Sequence, residues 1–180
     1  MGSLLTPHRR KMILNSISLI SNSKTSISVG DEYLENMFVR GEHIFLVDND
    51  ASIIQIVDIS NSKFSLRGKY KYKSEDFYSL SVVDECAYIA GGESGIEILD
   101  ISDTNNPVLQ KRVKIPAFSI DVSANGKYLY AKDNISYASS FAINVLKIQE
   151  DGGLVLVNTV SIPEHSDFAI KDGVIYYLED

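Results

Sequence analysis

Ile54-Gln55-Ile56-Val57-Asp58-Ile59-Ser60 returns 42 residues later as Ile96-Glu97-Ile98-Leu99-Asp100-Ile101-Ser102. A degraded third copy, Ile143-Asn144-Val145-Leu146-Lys147-Ile148-Gln149, follows after 47 more. One period upstream of the first copy, Ile17-Ser18 falls in register with Ile59-Ser60. A fixed period of this size means that each unit is one supersecondary structure. Such a unit cannot bury its apolar side alone and must stack on its neighbours.

A second element repeats in phase with the first. Phe38–Val47, Ser81–Ala90, Asp121–Tyr130 and Phe168–Tyr177 each read as an apolar run, a polar turn and another apolar run. Asn125-Gly126 and Asp172-Gly173 supply the positive φ angles of tight hairpin turns. The runs are short, β-branched and aromatic, with alternation such as Ile54/Ile56 and Ile96/Ile98. No segment holds a 3.6-residue apolar period over three turns, so the chain is all-β.

Each period holds four strands. In the second unit these are predicted at Tyr78–Val83, Cys86–Ala90, Ile96–Ile101 and Val108–Ile115. Four antiparallel strands in about 42 residues predict a β-propeller blade. The whole of 1–180 is expected to be a single β-propeller domain of about four blades. Its units lie at about 33–73, 77–116, 117–162, and 166–180 joined with 10–30. The last unit takes strands from both termini, so the N-terminal strands are expected to complete the C-terminal blade and close the ring, leaving no open edge.

The stretch Gly95-Ile96-Glu97-Ile98-Leu99-Asp100-Ile101-Ser102-Asp103-Thr104-Asn105-Asn106-Pro107-Val108-Leu109 resembles the LVIVD repeat of bacterial and archaeal β-propeller proteins. That repeat typically reads Gly-Leu-x-Ile-Val-Asp-Val-Ser-x-Pro-x-x-Pro-x-Leu. The first unit keeps Ile56-Val57-Asp58-Ile59-Ser60 without the prolines. In the third, Lys147 replaces the aspartate and Gly152-Gly153 the proline turn. The resemblance implies a propeller, often on surface or exported proteins, and implies no single activity. LVIVD-like propellers usually have more than four blades. Three arrangements therefore stay open: closure by one chain, exchange of terminal strands in a homodimer, or membership of a longer propeller.

Charge narrows the partner class. Against 24 Asp and Glu stand 17 Lys and Arg, a net charge of −7 and a pI near 4.9. Nucleic acid needs a basic surface, and an acidic domain gains nothing at an anionic membrane. No apolar run approaches the length of a transmembrane helix. His8-Arg9-Arg10-Lys11 before Met12-Ile13-Leu14 has the form of a signal-peptide start. Asn15, Ser16 and Ser18 interrupt the apolar run, however, and no cleavage site follows, so no signal peptide is predicted. The compartment stays open. Cys86, the single cysteine, reads as a small core residue and permits no intrachain disulfide.

Candidate sites follow from loop placement. Asp58 and Asp100 end the third strand of their units, where an aspartate accepts hydrogen bonds from the next turn. Asp48-Asn49-Asp50 opens like a calcium loop but lacks its glycine and distal glutamate, so calcium is a weak expectation and no cofactor is predicted. The loops between second and third strands carry Asp48, Asp50, Glu93 and Asp133, and those between units carry Glu75, Asp76, Glu164, His165 and Asp167. In a propeller these loops share one face. The expected function is a non-catalytic interaction scaffold that binds a protein or other ligand on that acidic face, through Asp48, Asp50, Glu93, Asp133 and His165. The alternative is a hydrolase or lyase using carboxylates and His165 near a central channel. No nucleophile elbow or phosphate loop accompanies it, since Gly91-Gly92-Glu93-Ser94-Gly95 joins two strands.

Overall fold

The computed structural model describes residues 12–17, 24–30, 34, 36–60, 63–73, 76–122, 126–133, 140–163, 168–171 and 173–177. Every regular element among them, apart from a single 3₁₀ residue at Ser60, is a β-strand, and all the ladders are antiparallel. The chain forms two compact units, Met1–Lys71 and Tyr72–Asp180.

The first unit begins with β1 (Met12–Ile17) and β2 (Lys24–Gly30), a two-stranded sheet. A four-stranded meander follows: β3 (Asn36–Arg40), β4 (His43–Asp48), β5 (Ile53–Asp58) and β6 (Ser65–Lys71). Val29 of β2 shares a core with Ile44, Leu46 and Val57, and Leu14 and Ile27 pack against it. The two-stranded sheet is thus stacked on the four-stranded one.

The second unit repeats the meander twice. β7 (Ser79–Val83), β8 (Cys86–Ala90), β9 (Ile96–Asp100) and β10 (Val108–Val113) form one sheet. β11 (Ser119–Val122), β12 (Tyr128–Asp133), β13 (Ser140–Ile148) and β14 (Leu154–Pro163) form the next. β15 (Phe168–Lys171) and β16 (Val174–Tyr177) make a hairpin, and Ile170 and Ile175 pack on Tyr130, Phe141, Ile143 and Ile162 of the sheet before it. Four-stranded antiparallel meanders have the form of propeller blades, as the repeat predicts. The predicted strands of the second blade agree with β7 to β10 within two residues at each end. The strands expected to join the termini into one blade form two separate two-stranded sheets among the described residues.

Burial explains the pattern of the repeat. In β8 and β9 both faces are covered, so Ala87, Tyr88, Ile89, Ile96, Ile98 and Leu99 are all buried. A strand covered on both faces reads as a continuous apolar run. β10 is the outer strand of its sheet, and Val108–Arg112 are exposed. Gln110, Lys111 and Arg112 place polar and charged side chains on that edge, which opposes pairing with foreign strands. A register shift recurs between the third and fourth strands of all three meanders. Such bulges increase local twist.

Short polar contacts join neighbouring sheets of the second unit. The Ile120 amide donates to Ser79 Oγ at 2.8 Å, and the Tyr88 hydroxyl donates to the Gly152 carbonyl at 3.0 Å. Buried Glu97 accepts from the Lys73 amide at 2.9 Å and pairs with Arg112 at 3.3 Å. The two motif aspartates act as expected. Asp58 Oδ1 accepts from the Ser60 amide at 2.7 Å, and Asp100 Oδ1 from the Ser102 amide at 2.9 Å. Arg67 also bonds Asp58, so its carboxyl stays ionised far below the usual range.

Gly95 directly precedes β9 with φ at +90°, and a Cβ there would lie 2.2 Å from the Val113 carbonyl oxygen. Backbone blocks the space, so no side-chain rotation relieves the contact. Gly95→Ala should therefore destabilise the fold by at least ~1–3 kcal/mol, the strain of the dihedral alone. Urea denaturation followed by circular dichroism checks this: an unchanged midpoint would contradict the close approach.

Candidate binding face

Within the second unit, β7 and β11 begin, and β8 and β12 end, at the same end of their sheets. The turn after β8 is held there by a two-way backbone bridge: Gly92 and Ala117 each donate to the other's carbonyl at 2.9 Å. This brings the β8–β9 turn against the segment that enters β11. Phe118 leads into β11 and Tyr78 into β7, and their rings meet edge to face, with centroids 4.9 Å apart at 65°. Gly92 lies beneath them. A Cβ on it would stand 2.7 Å from Tyr78 Cε2, so glycine lets the aromatic pair close over the turn.

Carboxylates surround this pair. Glu93 follows Gly92 in the turn and is exposed, Asp76 is exposed just before Tyr78, and Asp133 ends β12 half-buried. Burial raises the Asp133 carboxyl above its ordinary value, and the charge of Glu93 raises it further. Burial likewise raises the Tyr78 phenol, with Asp76 and then Glu93 adding to the shift. Glu93 thus acts on both Asp133 and Tyr78, and the three form one electrostatic group. Nearby Lys132 lies 4.0 Å over the Phe141 ring.

The other site residues predicted from sequence fall elsewhere. Asp48 is buried, and its Oδ1 accepts from the Ala51 amide at 2.8 Å, holding the β4–β5 turn of the first unit. Asp50 is exposed on that same turn. His165 lies outside the described residues, as do Glu75, Glu164 and Asp167. Sequence reasoning missed Tyr78 and Phe118. The available signal was an aromatic residue directly before serine at the start of the first strand, in Tyr78-Ser79 and again in Phe118-Ser119.

The opposite end of the second unit carries a cleft of about 220 Å³ between the β7–β8 and β13–β14 turns, with Asp84, Cys86, Asp100 and Asp151 on its walls. Burial, and then the charge of Asp100, push the Cys86 thiol up, which keeps it protonated and unreactive. This agrees with a packing role, although Cys86 is half-buried rather than fully enclosed. Among the described residues no group of three or more His, Cys, Asp or Glu side chains is placed to hold a metal ion. No helix among them is long and apolar enough to cross a membrane.

A raised carboxyl pKa in the folded state favours folding while the group is protonated. That contribution is complete below the unfolded value and is lost as pH rises through the folded one. Asp133→Asn should accordingly raise the thermal midpoint at pH 7 and leave it nearly unchanged at pH 3. Melting curves at the two pH values test this, and an equal gain at both would remove the electrostatic explanation.

The LVIVD repeat matches residues 33–72 and 76–114. No curated protein matches the chain. Among solved structures, a functionally unknown protein from Desulfotomaculum acetoxidans DSM 771 is 17% identical at a TM-score of 0.63, covering 81% of this chain and 47% of its own. Kuenenia stuttgartiensis hydrazine synthase is 16% identical at a TM-score of 0.63, covering 86% and 44%. At such identity the likeness concerns the fold alone, and the chain spans about half the length of these structures. The repeat matches coincide with the β3–β6 and β7–β10 meanders, so these two meanders are LVIVD repeats.

Proposed function

We propose that the meanders are blades of one propeller, that the two terminal half-sheets complete a further blade, and that the protein is a non-catalytic interaction scaffold. The partner is a protein segment rich in Lys and Arg, received at the end of the second unit that carries Glu93 and Asp133. The observation behind this reading is the convergence of those carboxylates on an aromatic pair in which Tyr78 is exposed and Phe118 half-buried. Ammonium and guanidinium groups are attracted both by carboxylates and by the faces of tyrosine and phenylalanine rings. Tyr78 adds contact area at low conformational cost, as aromatic residues do at recognition surfaces. The net charge of −7 steers a basic partner toward the molecule from a distance. Asp50, exposed on the first unit, is a separate candidate contact. Fold alone supports no choice among functions, since propellers host many.

A labelled Lys/Arg-rich decapeptide, followed by fluorescence anisotropy, tests the reading. Binding should weaken as salt rises, and Glu93→Gln with Asp133→Asn should reduce affinity about tenfold, a loss of about 1.4 kcal/mol. Tyr78→Ala should reduce it further, while Asp103→Asn, on the C-terminal side of β9, should have no effect. Equal affinity in the doubly neutralised variant would remove this face as the site. Saturable turnover of a glycoside or ester panel, abolished by the same substitutions, would favour the hydrolase reading.

A further inference from the structure

The motif aspartate meets a different neighbour in each of the three meanders. In the first, Asp58 accepts from the Ser60 amide at Oδ1 and from the Arg67 guanidinium at Oδ2. Arg67 follows Leu66, the residue opposite Val57, and so stands at the bulge of its outer strand. Bulges re-aim the side chains they carry. Register places Gln110 and Val157 at the corresponding bulges, directly after Leu109 and Leu156. The third meander thus lacks both members of the pair, with Lys147 for the aspartate and Val157 for the arginine.

The second meander keeps the acid alone. Asp100 Oδ1 holds the Ser102 amide as Asp58 holds that of Ser60. Gln110, in the place of Arg67, instead donates to the Asp151 carbonyl of the next sheet at 3.0 Å. Among the described residues no cation pairs with Asp100. This carboxylate lines the 220 Å³ cleft between the β7–β8 and β13–β14 turns, whose described walls include no Lys, Arg or His. Asp84 and Asp151 stand exposed on the same walls, and Val83 and Ile148 add apolar surface. Asp151 Oδ1 accepts from the Gly153 amide at 2.9 Å, which leaves its second oxygen as a further acceptor.

We propose that the cleft binds a guanidinium group from outside the chain, which pairs with Asp100 as Arg67 pairs with Asp58. The first meander supplies the template: a motif aspartate already bound to its turn amide still takes a guanidinium on its other oxygen. A guanidinium offers five donors in one plane and stays charged at every working pH, so it can engage Asp100 and a second carboxylate together. An ammonium is a compact point charge without that fork. Val83 and Ile148 suit the aliphatic stem that carries such a group. The group belongs to a small guanidine or to an arginine side chain, which present the same chemistry. This site lies at the opposite end of the second unit from Glu93 and Asp133, and it does not rest on the reading given for them.

Amide NMR shifts of the isotope-labelled chain test this. One probe is methylguanidinium, and the other is a terminally blocked pentapeptide with a single arginine between glycines. Saturable shifts are expected at Cys86, Asp100, Ser102 and Gly152. Methylammonium at the same ionic strength should bind at least about fivefold more weakly. Asp100→Asn keeps an oxygen for the Ser102 amide but removes the charge, and it should lower affinity about tenfold. Gln110→Arg supplies the guanidinium from within the chain and should abolish binding of both probes. Tighter binding of the pentapeptide supports the site and assigns it to a side chain, and tighter binding of methylguanidinium supports it and assigns it to a small molecule. The proposal is overturned by the absence of saturable shifts, by equal binding of methylammonium, by unchanged affinity in Asp100→Asn, or by binding that survives Gln110→Arg.

Discussion

Burial of the two middle strands of each blade on both faces is the constraint on which the rest depends. Tyr88 shows it most plainly: its ring is wholly enclosed, and its hydroxyl reaches the Gly152 carbonyl of the next sheet's outer hairpin. A sheet with such strands cannot stand alone, because removing its neighbour would expose an apolar run on both sides. Stacking is therefore a requirement of the sequence pattern and not an option of assembly. The outer strands relieve that requirement at the rim, where β10 carries Gln110, Lys111 and Arg112 and faces solvent.

The same constraint accounts for polar residues inside the repeat. Glu97 occupies a position that an apolar residue would fill at less electrostatic cost. It is tolerated because the Lys73 amide and Arg112 satisfy it. Ser79 likewise gives the Ile120 amide a partner where two innermost strands lie side by side. The motif aspartates work at the other end of the third strand, each ordering a turn whose amides would otherwise lack an acceptor. Turn geometry at both ends is thereby built from short local bonds, and long-range packing is left to the middle strands.

At the Glu93 end, function and packing meet in one glycine. Gly92 must be small for Tyr78 to close on Phe118, and its bridge to Ala117 carries Glu93 beside Asp133. The charge cluster is a consequence of where the inner strands begin. It exists only because two successive blades present their starts at the same end.

Period, strand number, strand boundaries and the turn role of Asp58 and Asp100 were legible in the residues, because each depends on neighbours within one unit. Asp48 was misjudged as surface chemistry, since nothing local distinguishes a carboxylate that faces solvent from one turned in to hold Ala51. Tyr78 and Phe118 were passed over, as their meeting joins residues forty positions apart across two blades. Alternation and turn chemistry within each repeat already dictate four-stranded antiparallel meanders. Which carboxylates share a field emerges only in the tertiary structure, because it depends on how one sheet of the second unit lies against the next.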